Sequence, residues 1–253
     1  MLTQLLIDIG NTRLKWVLMQ TDVLLAGGQW GHYGEASLEL SQIVIKEAPE
    51  QIVVSNVTGD KFRSEIERWA AKSFSLAVNF IVVPSKELGV TNGYSVADEL
   101  GADRWVSLVA CHHLFETDIC VIDAGSALTI DLLNANGDHL GGYILPGITS
   151  MRRALKQDTM LKQEIKGMDN GAKLTPGKST EQCINNGSLF ALCQTIEAVV
   201  HNFEHESKRK VQCILTGGDG NQLSGNLGIA HILKPTLVLQ GLAIIGKHLA
   251  QSS

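Results

Sequence analysis

Two short segments of this 253-residue chain carry the same arrangement of chemical groups. In each, an apolar run ends on an aspartate, and a glycine and small polar residues follow: Asp8, Gly10 and Asn11 in the first copy, Asp123, Gly125 and Ser126 in the second. Glycine lets the backbone turn tightly beside the carboxylate, and small side chains let a phosphate approach backbone N–H groups. Two such turns, facing each other across a cleft, would hold a nucleoside triphosphate and its metal.

The elements that must position these aspartates follow from the hydrophobic pattern. For the first half, the pattern predicts the order β-β-β-α-β-α-β, which implies a mixed sheet covered by helices. The predicted strands span residues 4–9, 13–20, 23–30, 51–55 and 79–83, and the predicted helices span residues 37–47, 61–73 and 98–114.

The second half restarts the same scheme. Its predicted strands span residues 119–123, 128–133, 139–145 and 212–215, and its predicted helices span residues 179–192 and 236–249. The repeat therefore indicates a duplicated domain, with one lobe over residues 1–116 and the other over residues 117–253.

Composition excludes several classes of protein. With 44% hydrophobic residues and a net charge of −5, the chain gives no electrostatic reason to expect binding to nucleic acid or to a membrane surface. No apolar run approaches ~20 residues, the length needed to span a membrane. The N-terminus begins directly with a strand pattern, and the five cysteines form no CxxC pair. We therefore expect a cytoplasmic protein.

Five motifs lie in order along nearly the whole chain. They are Asp8-x-Gly10-Asn11-Thr12, Gly101-Ala102-Asp103-Arg104-Trp105, the segment from Asp123 to Asp131, the segment from Gly141 to Gly147, and Thr216-Gly217-Gly218-Asp219. Together they resemble the type III pantothenate kinase family of the actin, Hsp70 and sugar-kinase superfamily. The resemblance implies an α/β fold of two duplicated ribonuclease-H-like (actin-like ATPase) domains, each a mixed sheet flanked by helices, with a cleft between them.

The same resemblance implies ATP-dependent phosphorylation of pantothenate to 4′-phosphopantothenate, the first step of coenzyme A biosynthesis. The residues that match ATP-binding positions are Asp8, Ile9, Gly10, Asn11, Thr12, Arg13, Leu14, Lys15 and Ser126. Asp8 also matches a Mg²⁺ position, and Asp123 matches the position that binds a monovalent cation, K⁺ or NH₄⁺. Ser126 stands where the family usually has threonine, a change that keeps the hydroxyl group.

Transfer of a phosphoryl group to an alcohol needs a group that accepts the hydroxyl proton. By resemblance, Asp103 is this general base, and the residues that bind pantothenate are Tyr94, Gly101, Ala102, Asp103, Arg104 and Thr180. Arg104 would pair with the pantothenate carboxylate. Ala97 stands where a proline is common in the family, which leaves the loop that carries Tyr94 less rigid.

The segment before the helix at residue 180 also contains a local structural pattern. Ser179 and Gln182 form the pattern of a capping box, which opens a helix. By resemblance, Thr180 contacts pantothenate across the interface of a homodimer.

Two alternatives stay open from the sequence. The chain could phosphorylate another small alcohol, such as a sugar, although the segment Gly101 to Arg104 argues against it. It could also be a nucleotide-binding regulator without catalytic activity, although Asp8, Asp103 and Asp123 are all present.

Overall fold

A computed structural model describes residues 2–21, 23–32, 37–158 and 172–252. The strands are β1 (Thr3–Ile9), β2 (Arg13–Gln20), β3 (Val23–Gly31), β4 (Gln51–Asn56), β5 (Val78–Phe80), β6 (Lys86–Glu87), β7 (Val90–Thr91), β8 (Asp118–Ala124), β9 (Ala127–Leu133), β10 (His139–Pro146), β11 (Val211–Thr216) and β12 (His231–Leu233). The helices are α1 (Arg63–Phe74), α2 (Ala102–Leu114), α3 (Ile148–Asp158), α4 (Thr180–Ser207), α5 (Gly220–Ser224) and α6 (Leu237–Ser252).

The chain divides into two compact units. Unit 1 contains Met1–Phe115 and Thr236–Ser253, and unit 2 contains Glu116–Pro235. The change of unit after residue 115 lies close to the lobe boundary predicted at residue 116. The prediction placed the C-terminal helix in the second lobe. In the structure, α6 instead packs against α2, β1 and β4 in unit 1.

Each unit is built on a five-stranded mixed sheet, and the two sheets have the same topology. The strand order is β3-β2-β1-β4-β5 in unit 1 and β10-β9-β8-β11-β12 in unit 2. In both sheets the first three strands form an antiparallel meander and the last two run parallel to the central strand. The duplication predicted from the sequence is therefore present at the level of strand order.

Strand β1 separates two environments because successive side chains point to opposite faces of a sheet. Leu5, Ile7 and Ile9 belong to a core cluster that also contains residues of α1. Gln4, Leu6 and Asp8 therefore point to the other face. Helix α6 covers that face, since a Cβ atom added at Gly246 would lie 2.3 Å from Gln4 Nε2.

Helices α2 and α6 pack very closely. A Cβ atom at Gly241 would lie 2.1 Å from the carbonyl oxygen of Val106, so only glycine fits at this crossing. Helix α2 also contacts β4. Asp8 and the helix that begins with the Gly101–Arg104 segment therefore lie on the same face of the first sheet.

Unit 2 has a corresponding core beneath its central strand. Cys120, Ile122 and Ala124 of β8 pack in one cluster with apolar residues of α4, such as Leu192. By the same alternation, Asp123 points to the face opposite α4. Burial in this core raises the pKa of the Cys213 thiol to about 12, which matches the behaviour of a small hydrophobic residue.

The helix predicted over residues 37–47 was wrong. This segment contains only a single 3₁₀ turn, Leu40–Gln42. Leu38, Leu40 and Ile43 are buried in the core of unit 1, a spacing that does not follow one face of an α-helix. The N–H group of Leu38 donates to the Glu65 carboxylate at 2.9 Å, which holds the segment against α1.

The helix predicted over residues 98–114 begins later, at Ala102. Residues Ala97–Glu99 form a 3₁₀ turn, and Leu100 follows with extended backbone that places its side chain in the interior. Gly101 is the N-cap residue of α2. This shift places Asp103 and Arg104 in the first turn of the helix, rather than in its second turn.

Across the described ranges, none of the helices combines the length and apolar character that crossing a bilayer requires.

Candidate active site

The first Asp-x-Gly segment forms a tight turn between β1 and β2. The Gly10 N–H group donates to the carbonyl oxygen of Arg13 at 3.0 Å, which closes the turn. Asn11 and Arg13 are exposed and Thr12 is half-buried, whereas the side chains of Ile9 and Leu14 lie in the core. A ligand at this turn would therefore meet only the backbone of Ile9 and Leu14.

Asp8 has polar neighbours on both adjacent strands. Its register partners are Lys15 on β2 and Ser55 on β4, and residues in register point to the same side of a sheet. Asp8 is buried, with 9% of its surface exposed. Ser55 is fully buried, and within the described ranges its Oγ atom has no hydrogen-bond partner. An aspartate, a serine and a lysine thus lie in register beside the turn.

His32 also belongs to this turn, although no motif in the sequence indicates it. Its backbone N–H group donates to the carbonyl oxygen of Thr12 at 2.9 Å, and its Nε2 atom lies 2.8 Å from the carbonyl oxygen of Gly10. A single histidine 22 residues from Gly10 gives no local signal of this contact. Only the pairing of β3 with β2 brings it to the turn.

The Gly101–Arg104 segment lies at the start of α2. The Asp103 Oδ1 atom accepts a hydrogen bond from the Arg104 N–H group at 2.7 Å. The buried Arg104 side chain donates from Nη1 to the Tyr94 hydroxyl at 2.8 Å, and its guanidinium carbon lies 5.4 Å from the centre of the Tyr94 ring. The structure therefore brings together Tyr94, Asp103 and Arg104, three of the residues predicted to bind the acceptor.

Asn92 organises the loop that carries Tyr94. Its Oδ1 atom accepts from the Tyr94 N–H group at 2.9 Å, and its Nδ2 atom donates to the carbonyl oxygen of Ala97 at 3.0 Å. The backbone N–H group of Asn92 donates to Ser85 at 2.8 Å. These bonds restrain the loop at Ala97, where the absence of proline predicts less rigidity.

Gly101 leaves room for the Asp103 carboxylate. A Cβ atom at Gly101 would lie 2.8 Å from Asp103 Oδ1, closer than such atoms approach in folded proteins. The φ angle of Gly101, −56°, is open to any residue, so a substitution here acts through this contact and not through backbone strain.

We therefore expect Gly101→Ala to fold with near-normal stability and, with Asp103 in the role of base that the resemblance implies, to lower kcat by about 10- to 100-fold. The flexible carboxylate can move away from the new methyl group, which protects the fold but misplaces Asp103. Steady-state kinetics and thermal denaturation measure the two effects. Gly225→Ala is the control, because its Cβ atom would meet only ordinary contacts at 3.7 Å or more. Unchanged kcat in Gly101→Ala would show that the position of Asp103 is not critical.

The second Asp-x-Gly segment forms the corresponding turn in unit 2, between β8 and β9. The Gly125 N–H group donates to Ala127 at 3.0 Å. Ser126 is exposed, and its backbone carbonyl oxygen accepts two hydrogen bonds, from the Gly147 N–H group at 3.1 Å and from the Ser150 hydroxyl at 2.7 Å. Asp123 is in register with Thr129 on β9 and Thr216 on β11. Its register partners are thus two threonines, whereas those of Asp8 are a lysine and a serine.

Two further motifs of the sequence converge on this second turn. A Cβ atom at Gly147 would lie 2.2 Å from the carbonyl oxygen of Gly125, and one at Gly217 would lie 2.4 Å from that of Ala124. The Asp219 N–H group donates to Ala124 at 2.9 Å. The two glycines permit backbone to pack directly on backbone. The glycine-rich segments at residues 141–147 and 216–219 are therefore structural partners of the Asp123 turn.

Thr180 is the exposed first residue of α4. The preceding Ser179 is the N-cap residue, and its Oγ atom accepts from the Gln182 N–H group at 3.2 Å. The Gln182 side chain in turn accepts from the Lys178 N–H group at 2.9 Å. The capping box predicted for this helix is confirmed, with Lys178 rather than Ser179 as the second donor.

Comparisons with known proteins agree on one family. A family model described as type III pantothenate kinase matches residues 4–202. A type III pantothenate kinase of Nitrosococcus oceani is 32% identical, over 96% of this chain and 93% of its own length. A type III pantothenate kinase of Marinobacter nauticus is 35% identical, over 94% of this chain and 96% of its own length.

Solved structures with lower identity show the fold. A protein from Campylobacter jejuni, described as a conserved Baf family transcriptional activator, has a TM-score of 0.63 at 24% identity over 98% of this chain and 99% of its own. An inorganic polyphosphate/ATP-glucomannokinase from Arthrobacter sp. strain KM has a TM-score of 0.51 at 14% identity and covers 100% of both chains. The predicted α/β fold of duplicated actin-like ATPase domains is thereby confirmed.

Proposed function

This chain belongs to the type III pantothenate kinase family, and from this premise we propose how its residues divide the work of the reaction. The enzyme phosphorylates pantothenate to 4′-phosphopantothenate, the first step of coenzyme A biosynthesis. The observation that carries the assignment of roles is the pair of Asp-x-Gly turns in equivalent positions of two sheets with the same strand order.

The turn from Asp8 to Lys15 binds the phosphates of ATP. The exposed backbone between Gly10 and Arg13 offers N–H groups without bulky side chains, and Lys15 stands beside Asp8 to offset phosphate charge. Ser126, on the exposed part of the second turn, supplies a hydroxyl to the nucleotide. The loop around Gly217 supports this second turn from behind by its contact with Ala124.

Pantothenate binds at the start of α2. The Arg104 guanidinium has the planar geometry that suits a carboxylate, and Tyr94 fixes its orientation through the bond to Nη1. Asp103 accepts the proton of the pantothenate hydroxyl as this oxygen attacks the γ-phosphorus of ATP in line with the leaving group. The hydrogen bond from the Arg104 N–H group holds the Asp103 carboxylate in one orientation.

The oxygen atoms around Asp8 fit a Mg²⁺ ion. Mg²⁺ is usually held by one or two carboxylates together with the substrate phosphates, and Asp8 and Ser55 are hard oxygen donors on one side of the sheet. Among the described residues, no group of three or more His, Cys, Asp or Glu side chains gathers at one point. Asp8 would therefore hold the ion directly or through water, and the ion would supply charge neutralisation for the phosphates.

The surroundings of Asp123 fit a monovalent cation. Its carboxylate is flanked in register by Thr129 and Thr216, so one negative charge and neutral hydroxyls face the same side of the second sheet. Such a set of oxygen donors balances a single positive charge. We assign Asp123 to K⁺ or NH₄⁺ on this basis.

The enzyme acts as a homodimer through the outer face of unit 2. Large apolar side chains are exposed on three neighbouring elements, β10, α3 and α4, among them Tyr143, Leu155 and Phe190. A groove of about 490 Å³ runs between β10 and α4. Exposed apolar side chains grouped in this way are typical of protein interfaces. A second copy on this face would cover α4, the helix that Thr180 begins, and Thr180 would contact pantothenate across the interface.

Sedimentation measures the oligomeric state. We expect a particle of twice the 27.3 kDa chain mass in the absence of substrates. A particle of the chain mass at micromolar concentration would contradict the homodimer and the role of Thr180 across its interface.

The catalytic proposal is tested with purified protein, Mg·ATP and pantothenate, with and without K⁺ or NH₄⁺. We expect 4′-phosphopantothenate to form only when the monovalent cation is present. A panel of sugars in place of pantothenate tests the alternative of another alcohol as acceptor. Absence of phosphopantothenate under all of these conditions would contradict the proposal and favour a nucleotide-binding regulator. Because ATP and pantothenate are metabolites of the cytoplasm, we place the enzyme there.

A further inference from the structure

The duplication allows the two turns to be compared bond by bond. In each unit, the residue directly after the third strand donates its backbone N–H group to the turn. In unit 1, His32 follows β3 and donates to Thr12 at 2.9 Å. In unit 2, Gly147 follows β10 and donates to Ser126 at 3.1 Å. His32 and Gly147 therefore occupy equivalent positions.

The two positions differ in whether a side chain fits. At Gly147, a Cβ atom would collide with the Gly125 carbonyl oxygen at 2.2 Å. The first turn is one residue longer, since Gly10 donates to Arg13 whereas Gly125 donates to Ala127. In unit 1 there is room for the imidazole, and its Nε2 atom lies 2.8 Å from the Gly10 carbonyl oxygen. Because a carbonyl oxygen only accepts, this Nε2 atom carries a hydrogen.

The imidazole is held firmly in its place. His32 is 2% exposed, and its ring meets the ring of the fully buried Phe62 edge to face, with the centres 5.2 Å apart. The bond to Gly10 is therefore partly buried on the side of the ring, and loss of the donor would remove a partner of the Gly10 carbonyl group.

The bond to Gly10 also sets the direction of a neighbouring amide. In a trans peptide the C=O group and the following N–H group point in opposite directions, and the described chain has no cis peptide. With the Gly10 carbonyl directed at the buried His32 ring, the Asn11 N–H group points away from that ring.

We propose that His32 is a positioning residue for ATP binding: its imidazole holds the Gly10 carbonyl, so that the Asn11 N–H group faces the nucleotide phosphates. This inference rests on the proposed role of the turn from Asp8 to Lys15. The first turn would thus be held by a buried side chain in addition to the backbone, whereas at the equivalent position of the second turn only the backbone of Gly147 makes the contact.

Two variants that differ by one methylene group test the inference. In His32→Gln, the longer amide can carry an N–H group to about the place of Nε2, whereas the amide in His32→Asn is too short to reach Gly10. We expect His32→Asn to raise KM for ATP about tenfold, equivalent to about 1.4 kcal/mol. KM for pantothenate should stay within about twofold, and His32→Gln should stay within about threefold of the wild-type KM for ATP, because a neutral hydrogen bond is retained.

Ile66→Ala is the control for general destabilisation. Ile66 is fully buried in the same core cluster as Phe62, so this variant should lower the melting temperature without changing KM for ATP. Calorimetric titration of ATP gives the same comparison independently of turnover. The inference is overturned if His32→Asn binds ATP like the wild type, or if Ile66→Ala weakens ATP binding equally. Failure of the wild type to form phosphopantothenate would instead refute the proposed function, and the calorimetry would still decide the role of His32.

Discussion

Replacement of Asp103 by asparagine is expected to lower kcat for pantothenate phosphorylation by about 10³-fold, within the range that a general base contributes. Asparagine has nearly the same shape and can still accept the hydrogen bond that the Arg104 N–H group donates at 2.7 Å. The start of α2 should therefore keep its structure. The change removes the group that is proposed to take up the proton of the attacking hydroxyl.

The measurement combines steady-state kinetics with calorimetric titration of ATP. We expect the affinity for ATP to stay within about threefold of the wild type, because the proposed phosphate contacts lie on other elements. Asp98→Asn is the matched control: Asp98 is exposed in the 3₁₀ turn that precedes α2, so the same change of charge should leave kcat unchanged. Near-normal turnover in Asp103→Asn would remove Asp103 from the role of base.

Replacement of Gly217 by alanine is expected to lower the free energy of unfolding and to weaken ATP binding. Gly217 has a φ of +92°, and its Cβ atom would lie 2.4 Å from the carbonyl oxygen of Ala124. Left-handed backbone costs about 1–2 kcal/mol for a residue other than glycine. The overlap adds about 1–3 kcal/mol, as overpacking does. The Ala124 backbone cannot rotate away as a side chain could, so the turn at Gly125 must shift.

Gly141→Ala separates these two costs. Gly141 has a similar φ, +100°, but no atom lies within 4 Å of its Cβ position. Gly141→Ala should lose only the stability that left-handed backbone costs a residue other than glycine. Gly217→Ala should lose more stability. It should also raise KM for ATP by about tenfold, because the shifted turn displaces Ser126, the proposed contact to the nucleotide. Denaturant unfolding and ATP kinetics check both values. Equal losses in the two variants would show that the contact between Gly217 and Ala124 is unimportant.

The sequence contains enough information to predict the repeated sheets. The apolar runs of β1 and β8 are local, and they identify the two strands and the aspartate near the end of each. The capping box at Ser179 is equally local, because its two partners are three residues apart. Such features depend on short spacings that a single chain displays directly.

Features that depend on distant partners could not be predicted in this way. Residues 97–99 favour a helix by composition, yet burial of Leu100 interrupts it, and α2 begins only after Gly101. Helix α6 follows unit 2 in sequence but packs in unit 1, where Gly241 allows a close crossing with Val106. In each case tertiary packing overrides the local pattern.

The residues that hold the site residues in position also depend on distant partners. His32 reaches Gly10 through the pairing of β2 and β3, and Asn92 holds Tyr94 through a loop that has no regular pattern. Neither side chain resembles a catalytic residue when it is considered alone. The sequence therefore predicts the groups proposed to touch ATP and pantothenate, but not the groups that fix their orientation.

The roles proposed for Asp103 and for the Gly10 turn can be tested by a crystal structure with pantothenate and an ATP analogue that cannot transfer its γ-phosphate. We expect the pantothenate hydroxyl to lie within about 3 Å of the Asp103 carboxylate, the distance a general base requires, and the pantothenate carboxylate to lie on Arg104. We also expect the phosphates to contact the turn at Gly10–Thr12. Pantothenate bound with its hydroxyl group directed away from Asp103, or phosphates bound outside this turn, would contradict these roles.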